Sequence, residues 1–458
     1  MKPILLTTAL LLAAQSARAQ DAAAAPPSNS APVAMAVANA TDTRPRLDGP
    51  LSLEEAVQVA LKNSPLLRGA QAEIDIAAAQ IKAAQAARKL SVSATTFLTA
   101  GSENGPIYSS PDGVSPVNLF AVPRGPFANQ NVMFMLPVLN GGRLGALTKQ
   151  AQSARGAAQA DAETTKLDVI LETKTAYRQV LLALELQKVA VERQRATSER
   201  LQNDRAALAA GRVPELYVLR DQAEDADAGQ EVTNAARDVE MALVMLRAVM
   251  GVQSESAITV SDSLETVAPA SNSPADFATA LENRPELRAA RARLESARQG
   301  DLAARGASKF QASLMGMGDL NRSRGGGSAG GASVGVIVGV PILDGGLRRA
   351  GREEARAGIA KTQADFDRLQ IEVEREVSNA KLTLGAAQKN VAAAQSGVMA
   401  AQEAFRVAGL RYEGGRATNA EVLDALAALT RAQGKRARAL FEVQNARDEL
   451  ERAMGSAF

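Results

Sequence analysis

The chain has no cysteine, no histidine and no tryptophan. Without cysteine there are no disulfides, and an N-terminal lipidated cysteine is excluded as well. Without histidine, the usual zinc and haem sites and the Ser-His and Cys-His nucleophile systems lose a ligand or a base. No metal, cofactor or catalytic residue is therefore expected, and the chain does not read as an enzyme. Charge of one sign is missing too: 52 basic residues stand against 50 acidic ones, so no basic face points to nucleic acid. Aromatics make up 3% of the residues, and past the N-terminus no stretch offers the ~20 uncharged apolar positions that a membrane-spanning helix needs.

What is present begins with an export signal. Lys2 precedes an apolar run from Ile4 to Ala14, and Ala17-Arg18-Ala19 has the small-x-small form that a signal peptidase cuts, so residues 1–19 read as a signal peptide. Residues 20–48 are rich in Ala, Pro, Ser and Asn without periodicity and read as a disordered lead-in. Export without a helical anchor leaves a periplasmic, outer-membrane or extracellular product.

The remainder is one plan written twice. Leu136-Pro137-Val138-Leu139-Asn140-Gly141-Gly142 returns as Val340-Pro341-Ile342-Leu343-Asp344-Gly345-Gly346, with the prolines 204 residues apart (341 − 137). Gly211-Arg212 and Gly415-Arg416 keep that offset, as do Met250-Gly251 and Met454-Gly455, so one unit was copied. Upstream, Asn63-Ser64-Pro65 matches Asn283-Arg284-Pro285 at an offset of 220 (285 − 65), which puts 16 extra residues (220 − 204) in the first copy. They fall in the Gly/Pro/Ser-rich stretch from Gly101 to Pro126, read as a surface loop. The repeats are set at 49–251 and 272–458, with 252–271 as a connector. Ser52-Leu53-Glu54-Glu55 has the form of a capping box opening a short helix, Ser273-Pro274-Ala275-Asp276 opens its counterpart, and each proline restarts a helix.

Each copy then changes period. Val334, Val336, Val338 and Val340 alternate with Ser333, Gly335, Ile337 and Gly339, a strand pattern. A partner spans about Phe310 to Gly318, and the first copy offers Ser91 to Ala100 with Phe127 to Leu136. Two hairpins give four strands of membrane-crossing length, too few to close a barrel, so the chain must oligomerise if they enter a bilayer. Phe97, Tyr108, Phe120, Phe127, Phe134 and Phe310 fall in or beside the hairpins, as an interface girdle would require. After each Gly-Gly phrase comes a helical pattern of roughly 70 residues, about 105 Å long. In the second copy Val377, Leu384, Val391, Val398, Phe405 and Tyr412 recur every seventh residue, with Ala380, Ala387, Ala394, Ala401 and Ala408 three positions later, a coiled-coil seam with alanine at one layer. Ala176, Ala183 and Ala190 keep the matching places. Ala210-Gly211-Arg212 and Gly414-Gly415-Arg416 end the rods, and return helices of ~35 residues together with proline-started helices of ~25 nearly match each rod in length. The fold is thus mainly α with a small β part.

On these residues the chain resembles the TolC family of outer-membrane efflux proteins from Leu51 to Gly455. The carriers are the paired Pro-x-Leu-[Asn/Asp]-Gly-Gly phrases, the Leu-x-Leu-x-x-Ala and Asn-x-Pro openings, and Tyr412-Glu-Gly-Gly-Arg-Ala-Thr-Asn-Ala-Glu-Val-Leu-Asp-Ala425. The resemblance implies a homotrimeric exit duct, in which a twelve-stranded barrel in outer-membrane lipid continues into a periplasmic helical tube. Its implied partners are a periplasmic adaptor and an inner-membrane pump of RND or ABC type. It also implies a gate of acidic residues near the second helix turn, here Glu421 and Asp424, with Arg416 beside the position of the family's arginine. Gly211, Arg212, Gly415 and Arg416 would mark the tips that meet the adaptor. A plainer role for Glu421 is a capping box with Thr418.

Other signals are set aside. Arg324-Gly-Gly-Gly-Ser-Ala-Gly-Gly331 lacks the Lys-Ser/Thr of a phosphate loop and reads as a hairpin loop. Met133, Met135, Met315 and Met317 stand at period two; soft-metal handling is one reading, and lipid- or core-facing packing is preferred. The charged stretch from Glu192 to Arg205 reads as a solvated face. A soluble periplasmic coiled-coil adaptor or scaffold is the rival function, but it has no use for two hairpins of membrane-crossing length.

Overall fold

The structure, a computed structural model, describes residues 44–101, 105–109, 117–122, 125–265, 277–323 and 329–456. The expected signal peptide, the lead-in up to residue 43, the tips of both hairpins and residues 273–276 lie outside them. The unit that begins at Arg46 opens with β1 (Gly49–Leu51), which pairs in parallel with β6 (Ile258–Val260). Asp48 accepts a hydrogen bond from the Ala257 N–H at 2.9 Å, and the Leu47 N–H donates to Ser256 Oγ at 3.2 Å. The chain entering the first repeat is therefore tied to the segment that leaves it.

Capping chemistry sets the first helix. Ser52 and Glu55 exchange the two bonds of a capping box at the start of α1 (Leu53–Asn63), and Pro65 occupies the first position of α2 (Pro65–Ala86), where no N–H is needed. In the second repeat α5 (Phe277–Asn283) is followed by α6 (Pro285–Gly306) behind Pro285 in the same way. The rods are α3 (Arg143–Ala209) and α7 (Leu347–Glu413), each 67 residues and about 100 Å long. They return through α4 (Glu215–Met250) and α8 (Asn419–Ala453). Helices α2 and α4 lie along α3, and α6 and α8 along α7, the stacking that the lengths predict.

The seam on α7 is real. Val377 and Ala387 are buried and every other predicted seam position from Ala380 to Tyr412 is at least half-covered, while the residues between them are mostly exposed. The two rods differ sharply in cover. α3 also packs against α6 and α8 and buries residues along its whole length, whereas α7 buries only Val373, Val377 and Ala387. Ile371, Leu382, Met399 and Leu410 stand exposed on it, an apolar stripe with no partner in the same chain among the described residues.

The main core surrounds Tyr177, Val180, Leu246, Met250, Val252 and Ile258, where α3, α1, α4 and the small β1/β6 sheet meet. The Tyr177 hydroxyl donates to the Leu51 carbonyl at 2.8 Å and contacts Asp262 Oδ2 at 2.9 Å, so the ring is buried while its polar end is satisfied. Between the repeats lies a charged cluster: Lys174 and Arg178 of α3 both face Asp448 of α8, Lys174 Nζ at 3.4 Å and the Arg178 guanidinium in direct contact. Burial pulls the Lys174 ammonium down and the Arg178 guanidinium to about 10, against the pull of Glu451.

The larger sheet is antiparallel with strand order β2 (Ser91–Gly101), β5 (Gly125–Asn140), β7 (Gln311–Ser323), β8 (Ala329–Gly339). The strands run longer than the sequence pattern marks, because pairing continues past the last clear alternation. The stretch expected as a surface loop holds a further hairpin, β3 (Gly105–Ser109) with β4 (Val117–Val122). Its apolar residues fall as adjacent pairs, Ile107-Tyr108 and Leu119-Phe120, too short and without the alternation that would register as strands against the surrounding Gly, Pro and Ser. Where β5 hands over to α3, Gly141 has φ +60, and a Cβ there would come within 2.6 Å of the Gly306 carbonyl. Glycine lets the end of α6 close on this junction.

Candidate functional site: a pore wall and its tip

The ladder register sorts the sheet into two chemically distinct faces. On one face Val92, Ala94 and Thr96 of β2 lie opposite Phe134, Val132 and Gln130 of β5. These continue across to Gly316, Gly318 and Leu320 of β7, and then to Val334, Ala332 and Gly330 of β8. Leu136, Leu314, Val336 and Val338 extend that face towards the helices. Gly316 makes room there: a Cβ would sit 2.1 Å from the Phe134 ring. The other face carries Ser91, Ser93, Thr95, Asn129, Asn131, Ser313, Asp319 and Ser333. A mainly apolar face backed by a face richer in polar residues is the pattern of a wall between lipid and water. The sheet is open, with β2 and β8 as edges that pair with nothing else among the described residues.

This register also places the four methionines at period two. Met133, Met135, Met315 and Met317 all lie on the face of Ser93, Asn131 and Asp319, with Met133 opposite Met317 and Met135 opposite Met315.

At the far ends of the rods the chain reverses through Gly211 (φ +70) and Gly415 (φ +66), each in the left-handed conformation that ends a helix. Arg212 and Arg416 follow them, both exposed, and the Arg416 carbonyl accepts from the Arg411 guanidinium at 3.2 Å. Glu421 is held in a capping box: its carboxylate accepts from the Thr418 N–H at 3.2 Å, and its own N–H donates to Thr418 Oγ1 at 3.3 Å. Asp424 lies one turn on and is exposed. Among the described residues neither acid forms an ion pair with Arg416, so the structure brings Glu421 and Asp424 to one helical turn and leaves the arginine outside it.

Sequence reasoning missed what lies just above these turns. Arg200 Nε donates to Asn419 Oδ1 at 2.7 Å, and Asn419 Nδ2 donates to Asp221 Oδ1 at 2.8 Å. The Tyr412 hydroxyl donates to Asp204, 2.9 Å from Oδ2, and the Arg200 guanidinium stacks on the Tyr412 ring at 4.3 Å. Five side chains from all four long helices thus join the two hairpins. Asp204 is 4% exposed and Asp221 1%. Burial, with Asp204 nearby and against the Asn419 bond, pushes the Asp221 carboxyl up to about 6; burial and the Asp204 bond push the Tyr412 phenol to about 12. The expectation of a solvated face from Glu192 to Arg205 fails at Thr197, Arg200 and Asp204, because α4 and α8 cover that side of α3. The signal available was Tyr412 at a seam position, an aromatic hydroxyl that needs a buried acceptor.

An open sheet with a mainly apolar face, mounted on two 67-residue rods that end in glycine turns, is the architecture of an outer-membrane channel chain with a long helical part. The profile of the outer membrane efflux protein family matches residues 56–252 and 278–456, and the chain belongs to that family. It is an outer-membrane exit duct, from a family of channels rather than of enzymes. Its fold is similar to that of the outer-membrane channel OprN, at 24% identity and a TM-score of 0.75 over 88% of this chain and 90% of that one. The CmeC outer membrane channel of Campylobacter jejuni gives 17% and 0.75 over 89% and 86%. The outer membrane protein VceC of Vibrio cholerae gives 19% and 0.73 over 89% and 96%. Comparison with curated proteins gave no match. The soluble adaptor reading finds no support in these likenesses.

Proposed function

We propose that three copies of the chain, exported by cleavage after Ala19, assemble into one pore. β8 of each subunit pairs with β2 of the next, closing twelve strands around the polar face, while the apolar stripe on α7 is covered by the neighbouring subunit. The observation that carries this is the open sheet: free N–H and C=O groups along both edges cannot stay unpaired in hydrocarbon, and no segment of the same chain covers them among the described residues. The repeats 49–251 and 272–458 each supply one hairpin and one rod.

At the periplasmic end, a periplasmic adaptor docks on the tips around Gly211, Arg212, Gly415 and Arg416, and an inner-membrane pump of RND or ABC type loads the cargo. Glu421 and Asp424 from three chains ring the narrow end and draw cations into it. The test is the mass of the detergent-purified assembly together with its current in planar bilayers. A trimer that conducts, and whose cation selectivity falls in Glu421→Gln/Asp424→Asn, supports the reading. A monomer that passes no current refutes the channel, and a trimer whose selectivity is unchanged in the double variant refutes the acidic ring.

A further inference from the structure

Four thioethers share the sheet face that also carries Ser93, Asn131, Asp319 and Ser333. Met133 and Met135 belong to β5, Met317 and Met315 stand directly opposite them on β7, and all four share the polar face. Side chains directly opposed across a ladder have Cβ atoms about 5 Å apart, and same-face neighbours along a strand are about 7 Å apart. Methionine has three rotatable bonds beyond Cα, so the four sulfurs can reach one point between them. β5 and β7 are the inner strands of the sheet, away from either edge, so a single chain supplies the whole group.

Duplication did not place these residues. At the 204 offset Met133 and Met135 correspond to Ile337 and Gly339, and at the 220 offset Met315 and Met317 correspond to Thr95 and Phe97. In each strand the methionines stand where the other repeat has a different residue, at the rows where β5 and β7 face each other. A merely greasy patch would have served with leucine or valine, which fill the opposite face. The rows on either side are Asn131 with Asp319 and Pro137 with Ser313, so a carboxylate stands at the mouth of the cluster. Among the described residues no group of three or more histidine, cysteine, aspartate or glutamate side chains is placed to hold a metal.

We propose that Met133, Met135, Met315 and Met317 form a soft-cation site on the lumen wall, taking a cuprous or silver ion in passage through the barrel. Thioether sulfur is a soft ligand that selects Cu(I) and its chemical analogue Ag(I) over Mg, Ca and Zn. Neutral thioethers hold the cation without a permanent countercharge. Three such sites in one pore give the multiple, moderate binding that lets an ion enter and leave. The site rests on the channel reading, since the polar face is a lumen only if the barrel closes.

The probe is silver nitrate in chloride-free buffer, titrated into the detergent-purified assembly, with bound metal measured by equilibrium dialysis and its ligands by X-ray absorption. The variant replaces the four residues by leucine, of nearly equal volume. The control is Met241→Leu/Met245→Leu, two exposed helical methionines of α4. About one silver ion per chain with sulfur ligands, an affinity lowered at least about tenfold in the barrel variant and retained in the control, supports the site. Equal binding by wild type and barrel variant, or loss only in the control, overturns it. Potassium current distinguishes the two levels: normal current in wild type without silver block overturns the metal site alone, and no current at all strikes the channel reading on which it rests.

Discussion

Replacing Val334 by arginine tests which side of the sheet meets lipid. β8 has 11 residues, and at about 3.3 Å per residue with a tilt near 40° it spans roughly 28 Å, slightly more than the ~25 Å apolar band of a membrane barrel. Val334 is its central residue, lies on the apolar face and is 72% exposed in the single chain. An arginine at that depth costs about 2–4 kcal/mol, and three chains bring the total to about 6–12 kcal/mol per trimer, comparable to the whole stability of an ordinary domain. Ser333, its neighbour in sequence, points to the polar face, where arginine costs close to nothing beyond a local change in the pore. Both variants are folded into phospholipid vesicles and scored for heat-resistant trimer and for current. Val334→Arg is expected to lose most of the trimer while Ser333→Arg keeps it with altered selectivity. Equal damage from the two, or damage confined to Ser333→Arg, would refute the assignment of the faces.

Asp448→Ala leaves Lys174 and Arg178 buried without their shared counter-ion and is expected to destabilise the helical part by about 3–5 kcal/mol, read as an earlier thermal loss of helix by circular dichroism. Replacing all three by apolar residues of similar volume should recover most of that loss; a triple variant as weak as the single one would show that the charges are not the cause. The tip should also respond to pH. Asp221 titrates at about 6 in the fold against 3.8 unperturbed, so its contribution is complete below pH ~4 and is lost as pH rises through about 6. Hydrogen exchange in the first turns of α4 and α8 should therefore quicken over that interval. Asp221→Asn, which keeps the contact to Asn419 without a titrating group, should flatten the profile, and an unchanged profile would remove Asp221 as its source.

The architecture was legible because duplication amplifies weak signals. A lone Gly-Gly phrase or Asn-x-Pro step says little, but the same steps at a fixed offset located the restarted helices at Pro65 and Pro285, both rods and both turns. The heptad positions from Val377 to Tyr412 were read correctly because α7 is covered mainly along the one side that α8 follows, which leaves a single period. α3 meets several helices and is covered on more than one side, which is why a charged stretch such as Glu192–Arg205 misled. Period cannot tell a solvated arginine from one stacked on Tyr412. The methionines were hidden for a related reason. Alternation shows that residues share a face, but that the two methionine pairs stand opposite each other follows only from the register of β5 on β7, and that depends on contacts between residues about 180 positions apart.

The free edges of β2 and β8 carry a consequence for how such a protein fails. In the proposed trimer, a subunit with a damaged edge strand is not simply idle: it occupies a place in the ring and breaks the seam that the neighbour on that side needed. With three places in that proposed ring, and a cell making equal amounts of sound and damaged chains, only about one assembly in eight would be drawn wholly from sound ones. Injury to these strands would therefore behave as a poison to the remaining good copies, whereas loss of the protein altogether would not.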